Sequence, residues 1–294
     1  MPFNSYIDRD DAEALIPEEV SQEIIKSVEE SSAVLRLSKR LPNMSRGQLR
    51  LPVMTALAQA YFVSGGNTGL KQTTKVEWGN KYINAEEVAV IVPIPEAVLS
   101  DADYDIWGEV KPSIIEAFDA AIDAAILWGT NAPDNWPDSL FTGATAASHV
   151  VDLSNYSDLY EAIMSEASGG TDGLLMTIEA DGFMATGHIA DVSMRGKLRG
   201  LRELNWNGTT MVPTGQPIFT KSMQDPNRWE LDGSPIAFPR NGAWDASTAL
   251  MLSGDFDKLV YSIRQDITWK ILDQAVIQDS SGNIMFNLAQ QDMV

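Results

Sequence analysis

The chain has 294 residues, 44% of them hydrophobic, no cysteine, and a formal net charge of −20. That length buries roughly three quarters of the unfolded surface and accommodates one or two domains. The composition excludes disulfides and thiolate metal sites, no run of ~18 apolar residues is present to span a membrane, and the acidity opposes direct DNA recognition, which needs a basic stripe.

In chain order, residues 1 to about 14 are polar and read as an arm. They lack the basic region and apolar core of a secretory signal, so a cytoplasmic product is expected. Pro17 opens a helix, with Glu18 and Glu19 beside it and Val20, Ile24, Ile25 and Val28 along one side. Val34, Leu35, Leu37 and Leu41 suit either a strand or a second short helix. This arm carries more apolar surface than a free tail should, so it is expected to pack on something.

A short strand is predicted from Gln48 to Val53. The glycine-rich turn Ser64 to Gly69 follows, then a strand in KQTTKVEW and a second turn at Gly79-Asn80. Beyond it Val88, Val90, Val92 and Ile94 alternate with Ala89 and Ile91 as in a strand. Together these segments predict a long antiparallel ribbon with few large apolar residues in its distal half. Such a ribbon buries no core of its own and needs a neighbour.

The longest helical pattern runs from Pro95 to Thr130. Trp107, Val110, Ile114, Phe118, Ala121, Ala125 and Trp128 form a stripe, widened by Ile115, Ile122 and Ile126. Asp101, Asp103 and Asp105 suit the positive end of the macrodipole at a helix start, and Gly129 suits a C-terminal cap. Pro112 is expected to kink or restart the helix. Residues 101 to 172 hold fourteen Asp and Glu against the single Lys111, which reads as a solvated acidic face.

Further on, Ser157 to Ala167 predicts a short helix capped by Ser157 or Asp158, followed by a turn in SGGTDG. Leu174 to Ile178 reads as a buried strand. A helix is expected within Ala180 to Gly200, with Ile189, Val192, Met194 and Leu198 apolar. From Asn205, short strands separated by Gly, Pro and Asn turns suggest a small mixed sheet, and Leu259 to Ile267 a further strand. The last segment reads as strand, turn, strand.

Catalytic motifs are missing. The Asp101 to Asp105 run departs from a calcium loop, with Ile106 where Gly is required and Pro112 where Glu is required. His149 and His188 stand 39 residues apart without a metal-binding pattern. The sequence contains no nucleophile elbow, phosphate loop or dinucleotide fingerprint, and the cluster Arg195, Lys197, Arg199 and Arg202 is too short for a nucleic-acid site. Neither a cofactor nor a metal is expected.

The order of parts resembles the major capsid proteins of tailed bacteriophages, an α+β fold shared with encapsulin shells and herpesvirus capsid floors. Two segments carry the resemblance: PIPEAVLSDADYDIW through AIDAAILWGT, similar to the entry and Gly-terminated end of that family's spine helix, and Gly254-Asp255-Phe256 with Arg264. The resemblance implies an N-terminal arm at residues 1–47 and an extended β-hairpin loop at 48–93. It also implies a peripheral domain with a spine helix at 94–150 and 266–294, and an axial domain with a mixed sheet at 151–265. The implied function is self-assembly into an icosahedral virion shell around double-stranded DNA, after synthesis in the cytoplasm of the bacterial host. Subunit contacts then fall to Ile24 and Val28 on the arm and to Ser64, Gly65, Gly66, Asn67, Gly69 and Lys71 at the ribbon tip. The implied partners are other copies as hexamers and pentamers, a scaffolding protein, a portal, a decoration protein, and packaged DNA held without specific recognition.

Two departures stand beside the resemblance. The arm is short where relatives carry a long scaffolding helix, implying a separate scaffold. Relatives also continue past the point matching Val294, so the peripheral sheet closes differently or the chain is truncated there. The alternatives are an encapsulin-type nanocompartment shell and, from another class, an acidic hydrolase with a carboxylate pair.

Overall fold

The computed structural model describes residues 32–60, 62, 73–101, 106–156, 158–164, 173–203, 205–206, 211–213, 215–223, 225, 228–279 and 281–293. The fold is α+β and is organised around a five-stranded mixed sheet. Its strands are β4 (Gly187–Ala190), β7 (Phe219–Lys221), β8 (Trp229–Leu231), β9 (Ser234–Ala237) and β10 (Met251–Gly254), in the order β10-β4-β9-β8-β7. The β4–β9 pair is parallel and the others antiparallel. The expected small mixed sheet is therefore present.

Alternation along the strands gives the sheet two apolar faces. Ala190, Leu231 and Ile236 join one cluster, with Ile163 of α5 (Leu159–Met164), Leu175 of α6 (Leu174–Ala180), and Met194 and Leu198 of α7 (Met194–Leu198). Ile189 and Ala237 turn to the other face and join Phe256, Leu127 of the long helix α3 (Ile106–Trp128), and Ala33 and Val34 of α1 (Ala33–Leu37). The sheet is thus the layer that ties the arm and the long helix to the rest of the body.

The arm settles as α1, then β1 (Lys39–Arg40), which pairs parallel with β11 (Val260–Tyr261). Of the strand expected over Leu259–Ile267 only those two residues pair as a strand, although the Leu259 and Ile263 carbonyls also accept from the Lys39 and Met44 N–H groups. The antiparallel ribbon is β2 (Gln48–Ala56) against β3 (Glu77–Asn84). Gly79-Asn80 is no turn: Gly79 lies inside β3 opposite Val53. A Cβ there would fall 2.8 Å from the Thr55 methyl, so this glycine provides room rather than a bend. The alternating Val88 to Ile94 run is not a strand within one protomer, and Val88, Val90, Ile91 and Val92 are exposed.

A short helix α2 (Glu96–Asp101) precedes α3, so Asp101 closes α2 rather than opening the long helix; Asp103 and Asp105 lie outside the described residues. Pro112, seventh in α3, removes one bond to the Gly108 carbonyl, yet the helix is uninterrupted across it, and the expected restart does not occur. Gly129 ends the helix with φ +76°, its N–H bonding the Ala125 carbonyl at 3.0 Å. Gly129→Ala should cost about 1 kcal/mol through the left-handed backbone alone, measurable as a shift in chemical denaturation midpoint.

Beyond α3 come α4 (Leu140–Ala146) and α5, whose start is marked by Asp158 accepting the Tyr160 N–H at 3.3 Å. Ser157 and all of the SGGTDG turn but its last residue, Gly173, lie outside the described residues. Leu174 to Ile178 belongs to α6, not to a strand. A short apolar run does not distinguish the two periods, and Gly173 at its N-cap begins a helix instead. The helix expected within Ala180–Gly200 divides: Ile189 lies on β4, and only Met194–Leu198 is helical. Asp191 interposes a turn by accepting the Ser193 N–H at 2.8 Å.

A small hairpin, β5 (Asn205–Trp206) with β6 (Met211–Val212), completes this part. The C-terminal segment is strand, turn, strand, as expected: β12 (Val276–Gln278) pairs with β13 (Ile284–Asn287), followed by α8 (Leu288–Gln291). The Glu96 N–H bonds the Asp292 carbonyl at 2.9 Å, fastening this end to the start of α2.

Candidate assembly surfaces

Ribbon cross-strand pairs divide its two faces. Leu49 opposite Ile83 and Val53 opposite Gly79 lie on one face, with Leu49, Val53 and Ile83 half-buried. Met54 opposite Trp78, and Arg50 opposite Tyr82, lie on the other. Trp78 is 67% exposed and Met54 47%, so an apolar pair worth several kcal/mol if covered faces water. The segment after β3 continues the pattern with four exposed Val and Ile side chains between 88 and 92.

A second exposed apolar surface lies near the other end of the chain. Ile267, Trp269, Ile271 and Leu272 are uncovered, as are Val276 and Ile284 on the β12–β13 hairpin. Scattered exposed apolar residues are ordinary, but runs of this density mark contact surfaces. The predicted contact residues Ile24, Val28, Ser64, Gly65, Gly66, Asn67, Gly69 and Lys71 all lie outside the described residues.

The junction between arm, long helix and body contains a buried carboxylate. Asp123 on α3 is fully buried and accepts hydrogen bonds from the Ser32 hydroxyl, the Ala33 N–H at 3.0 Å, the Val34 N–H at 3.3 Å and the Asn241 side-chain amide at 3.0 Å. It thereby satisfies the free N–H groups that begin α1. Ser32 in turn accepts the Leu35 N–H at 3.0 Å. One turn earlier, burial pushes the Asp119 carboxyl above its usual value; the Ser32 backbone opposes this and the Asp123 charge adds to it. Nearby, the Trp128 indole N–H donates to the Ala243 carbonyl at 2.9 Å and packs edge-on to Trp244.

Sequence reading did not single out Asp123. The available signal was an acid inside an otherwise small and apolar run, AIDAAIL. The two histidines are far apart in role as well. His149 lies near the surface, 3.4 Å from Asp181. His188 is fully buried on β4, its Nδ1 2.8 Å from the Ser253 hydroxyl, and burial pushes its pKa down to about 4. Among the described residues no group of three or more His, Asp or Glu converges as a metal site would require, and no helix is long and apolar enough to cross a membrane.

A body held by a central sheet, an arm pinned to a long helix, and a ribbon with one apolar face bare describe a subunit built to be completed by others. A family model described as "Phage capsid family" matches residues 12–294. The chain belongs to that family. It is 26% identical over 288 residues to the "Major capsid protein" of Staphylococcus phage 80alpha, covering 94% of this chain and 76% of that one. A solved structure from Microbacterium phage Oxtober96 superposes with a TM-score of 0.75 at 34% identity, covering 98% of this chain and 89% of the other. One from Mycobacterium phage Cain gives 0.74 at 28%, covering 98% and 88%. The capsid-family match agrees with the α+β fold and favours a virion shell over a nanocompartment. A capsid protein is a structural protein, which leaves the hydrolase reading without support.

Proposed function

We propose that this capsid protein assembles, as hexamers and pentamers, into the icosahedral shell that encloses double-stranded phage DNA. The observation that carries the reading is the uncovered Met54–Trp78 face of a two-stranded ribbon, continued by the exposed residues 88–92. An isolated ribbon of this kind is marginal in water and gains stability when a second copy covers it. In this proposal residues 48–93 are the extended loop over a neighbouring subunit and 1–47 the arm beneath one. Residues 94–150 with 266–294 form the peripheral domain, and 151–265 the axial domain. Many repeated contacts, each weak, stabilise the lattice together. The acidic chain contacts DNA without reading it, and performs no catalysis. Scaffolding, portal and decoration proteins are the remaining proposed partners, and synthesis takes place in the host cytoplasm.

Electron microscopy of the purified chain tests this directly: capsomers, tubes or shells are expected, and a monodisperse monomer at high concentration would sink the reading. In the free protein, proteases should cut near Ser64 to Gly69, and assembly should protect that stretch. Replacing Met54 and Trp78 by Glu removes exposed side chains only. Folding should therefore survive, while the concentration needed for assembly rises by about tenfold or more, since each such side chain contributes ~1.5–3 kcal/mol when buried.

A further inference from the structure

Residues 193–229 hold six Lys and Arg against two Asp and Glu, in a chain whose net charge is −20. Packing draws three of those cations around one indole. Arg195 lies over the Trp229 ring at 4.7 Å from its centroid, Lys221 at 5.2 Å and Arg199 at 6.0 Å. Phe219 stacks against the same ring at 4.7 Å and 7°, which holds the indole in place. Arg195 and Arg199 stand one turn apart on α7, and Lys221, the cross-strand partner of Trp229, ends the edge strand β7. The short cationic run at 195–202 thus gains a further member that is distant in sequence.

The acids of this region are turned elsewhere. Glu230 alternates with Trp229 along β8 and lies on the opposite face of the sheet. Asp191, four residues before Arg195, accepts the Ser193 N–H at 2.8 Å. Glu203 backs onto Gly215, beyond the bridge from Arg202 to Pro217. Asp225 and Arg228 share the loop that joins β7 to β8. The ion pairs found among the described residues are Lys75–Glu77 and His149–Asp181, neither of which involves the cluster. The Arg195 Nε is buried without a hydrogen-bond partner.

Three like charges this close lie within roughly one Debye length and repel until anions join them. Two guanidinium forks beside an ammonium suit the oxygens of an oxyanion. By the centroid distances the cluster spans at most about 11 Å. A nucleic-acid strand carries one phosphate per ~3.4 Å of axis, so two or three successive phosphates fall along that span. A lone carboxylate would neutralise only one of the three cations. With Phe219 on the ring and the cations around it, no face of Trp229 is left for a base to stack on.

We propose that the Arg195–Arg199–Lys221 cluster is a phosphate-binding site through which the shell protein touches the backbone of the enclosed DNA without reading its sequence. The proposal rests on the shell reading and names the residues of that contact. Each copy supplies a weak contact, and copies fixed in one shell act together.

Fluorescence anisotropy of the purified full chain with short labelled DNA duplexes of two unrelated sequences tests it. Equal binding to both is expected, with log K falling against log salt at a slope of about −2 to −3, as for two or three phosphates. Arg199→Gln with Lys221→Gln should weaken binding by about tenfold and flatten the slope by about 2, while sedimentation and electron microscopy show unchanged assembly. Lys258→Gln with Lys270→Gln removes the same charge at exposed positions elsewhere and should weaken binding by less than about threefold. If the cluster pair loses wild-type circular dichroism or melting, Lys221→Gln alone serves, and a slope flatter by about 1 is expected. Duplex binding that is absent in wild type, dependent on sequence, or reduced equally by both pairs overturns the site, and shells seen by microscopy then leave the shell reading standing. A cluster pair that binds duplex as wild type but assembles less readily assigns the cations to a contact between proteins and also overturns the site. A chain that forms no shell yet binds duplex through the cluster overturns the shell reading and supports the phosphate site.

Discussion

Asp123→Ala is expected to destabilise the folded subunit by about 3–5 kcal/mol and to release the arm, because it strands several buried donors at once. The carboxylate, on α3, accepts from Ser32, Ala33 and Val34 at the start of α1 and from Asn241, so it joins three separate segments. A hydrogen bond to a charged group contributes about 1.5–3 kcal/mol, and a donor left buried and unpaired costs about 1–3. Asp123→Asn should cost less, about 2 kcal/mol, since one acceptor oxygen remains while the new amide faces other donors. Ser32→Ala should cost about 1 kcal/mol, the usual value of an N-cap. Denaturant unfolding gives the magnitudes, and proteolysis at residues 32–44 reports the arm. If Asp123→Ala unfolds near wild type, or leaves the arm as resistant as before, Asp123 does not hold that junction.

Such a junction is hard to see in a sequence because its partners lie about ninety residues and more apart. What was legible was local. The Gly129 cap follows from one residue type at one position, and the C-terminal strand-turn-strand and the short strands of the mixed sheet follow from turn residues between apolar runs. The errors fall where local pattern is ambiguous or where the deciding partner is distant. Leu174 to Ile178 is too short to show a period, and it forms a helix that begins after Gly173. Gly79 looks like a turn residue until the Thr55 methyl opposite explains it. Val88 to Ile94 alternates like a strand but has no ladder partner within one subunit. Pro112 costs one hydrogen bond, and the rest of α3 outweighs it. The bare ribbon face was legible as a deficit, a strand pair without a core, whereas the cation cluster needed the packing of Trp229 to bring residues on α7 and β7 together.

Acid should weaken the subunit through His188, and the sign follows from its surroundings. The imidazole is fully buried on β4 and burial holds its pKa at about 4, against 6.5 in the unfolded chain, with the Leu231 backbone only partly offsetting this. The unfolded chain therefore takes up a proton near pH 6.5 that the folded one refuses until about pH 4. His188 costs nothing above pH 6.5, removes stability progressively between 6.5 and about 4, and adds no further loss below that. The total is about 3 kcal/mol by linkage. Asp119 works the other way: its raised carboxyl binds a proton more readily in the folded state, so it recovers some stability as the pH falls towards its unfolded value. Asp152, Asp191, Asp245 and Asp279 are lowered by hydrogen bonds, and their losses come at more acid pH, beneath the His188 window. His188→Gln keeps a hydrogen-bonding group for Ser253 and removes the titration. Denaturant unfolding at pH 7, 5.5 and 4.5 should show a steep decline in wild type and a much flatter one in the variant. Equal slopes would place the acid sensitivity elsewhere, in the carboxylates rather than in the sheet.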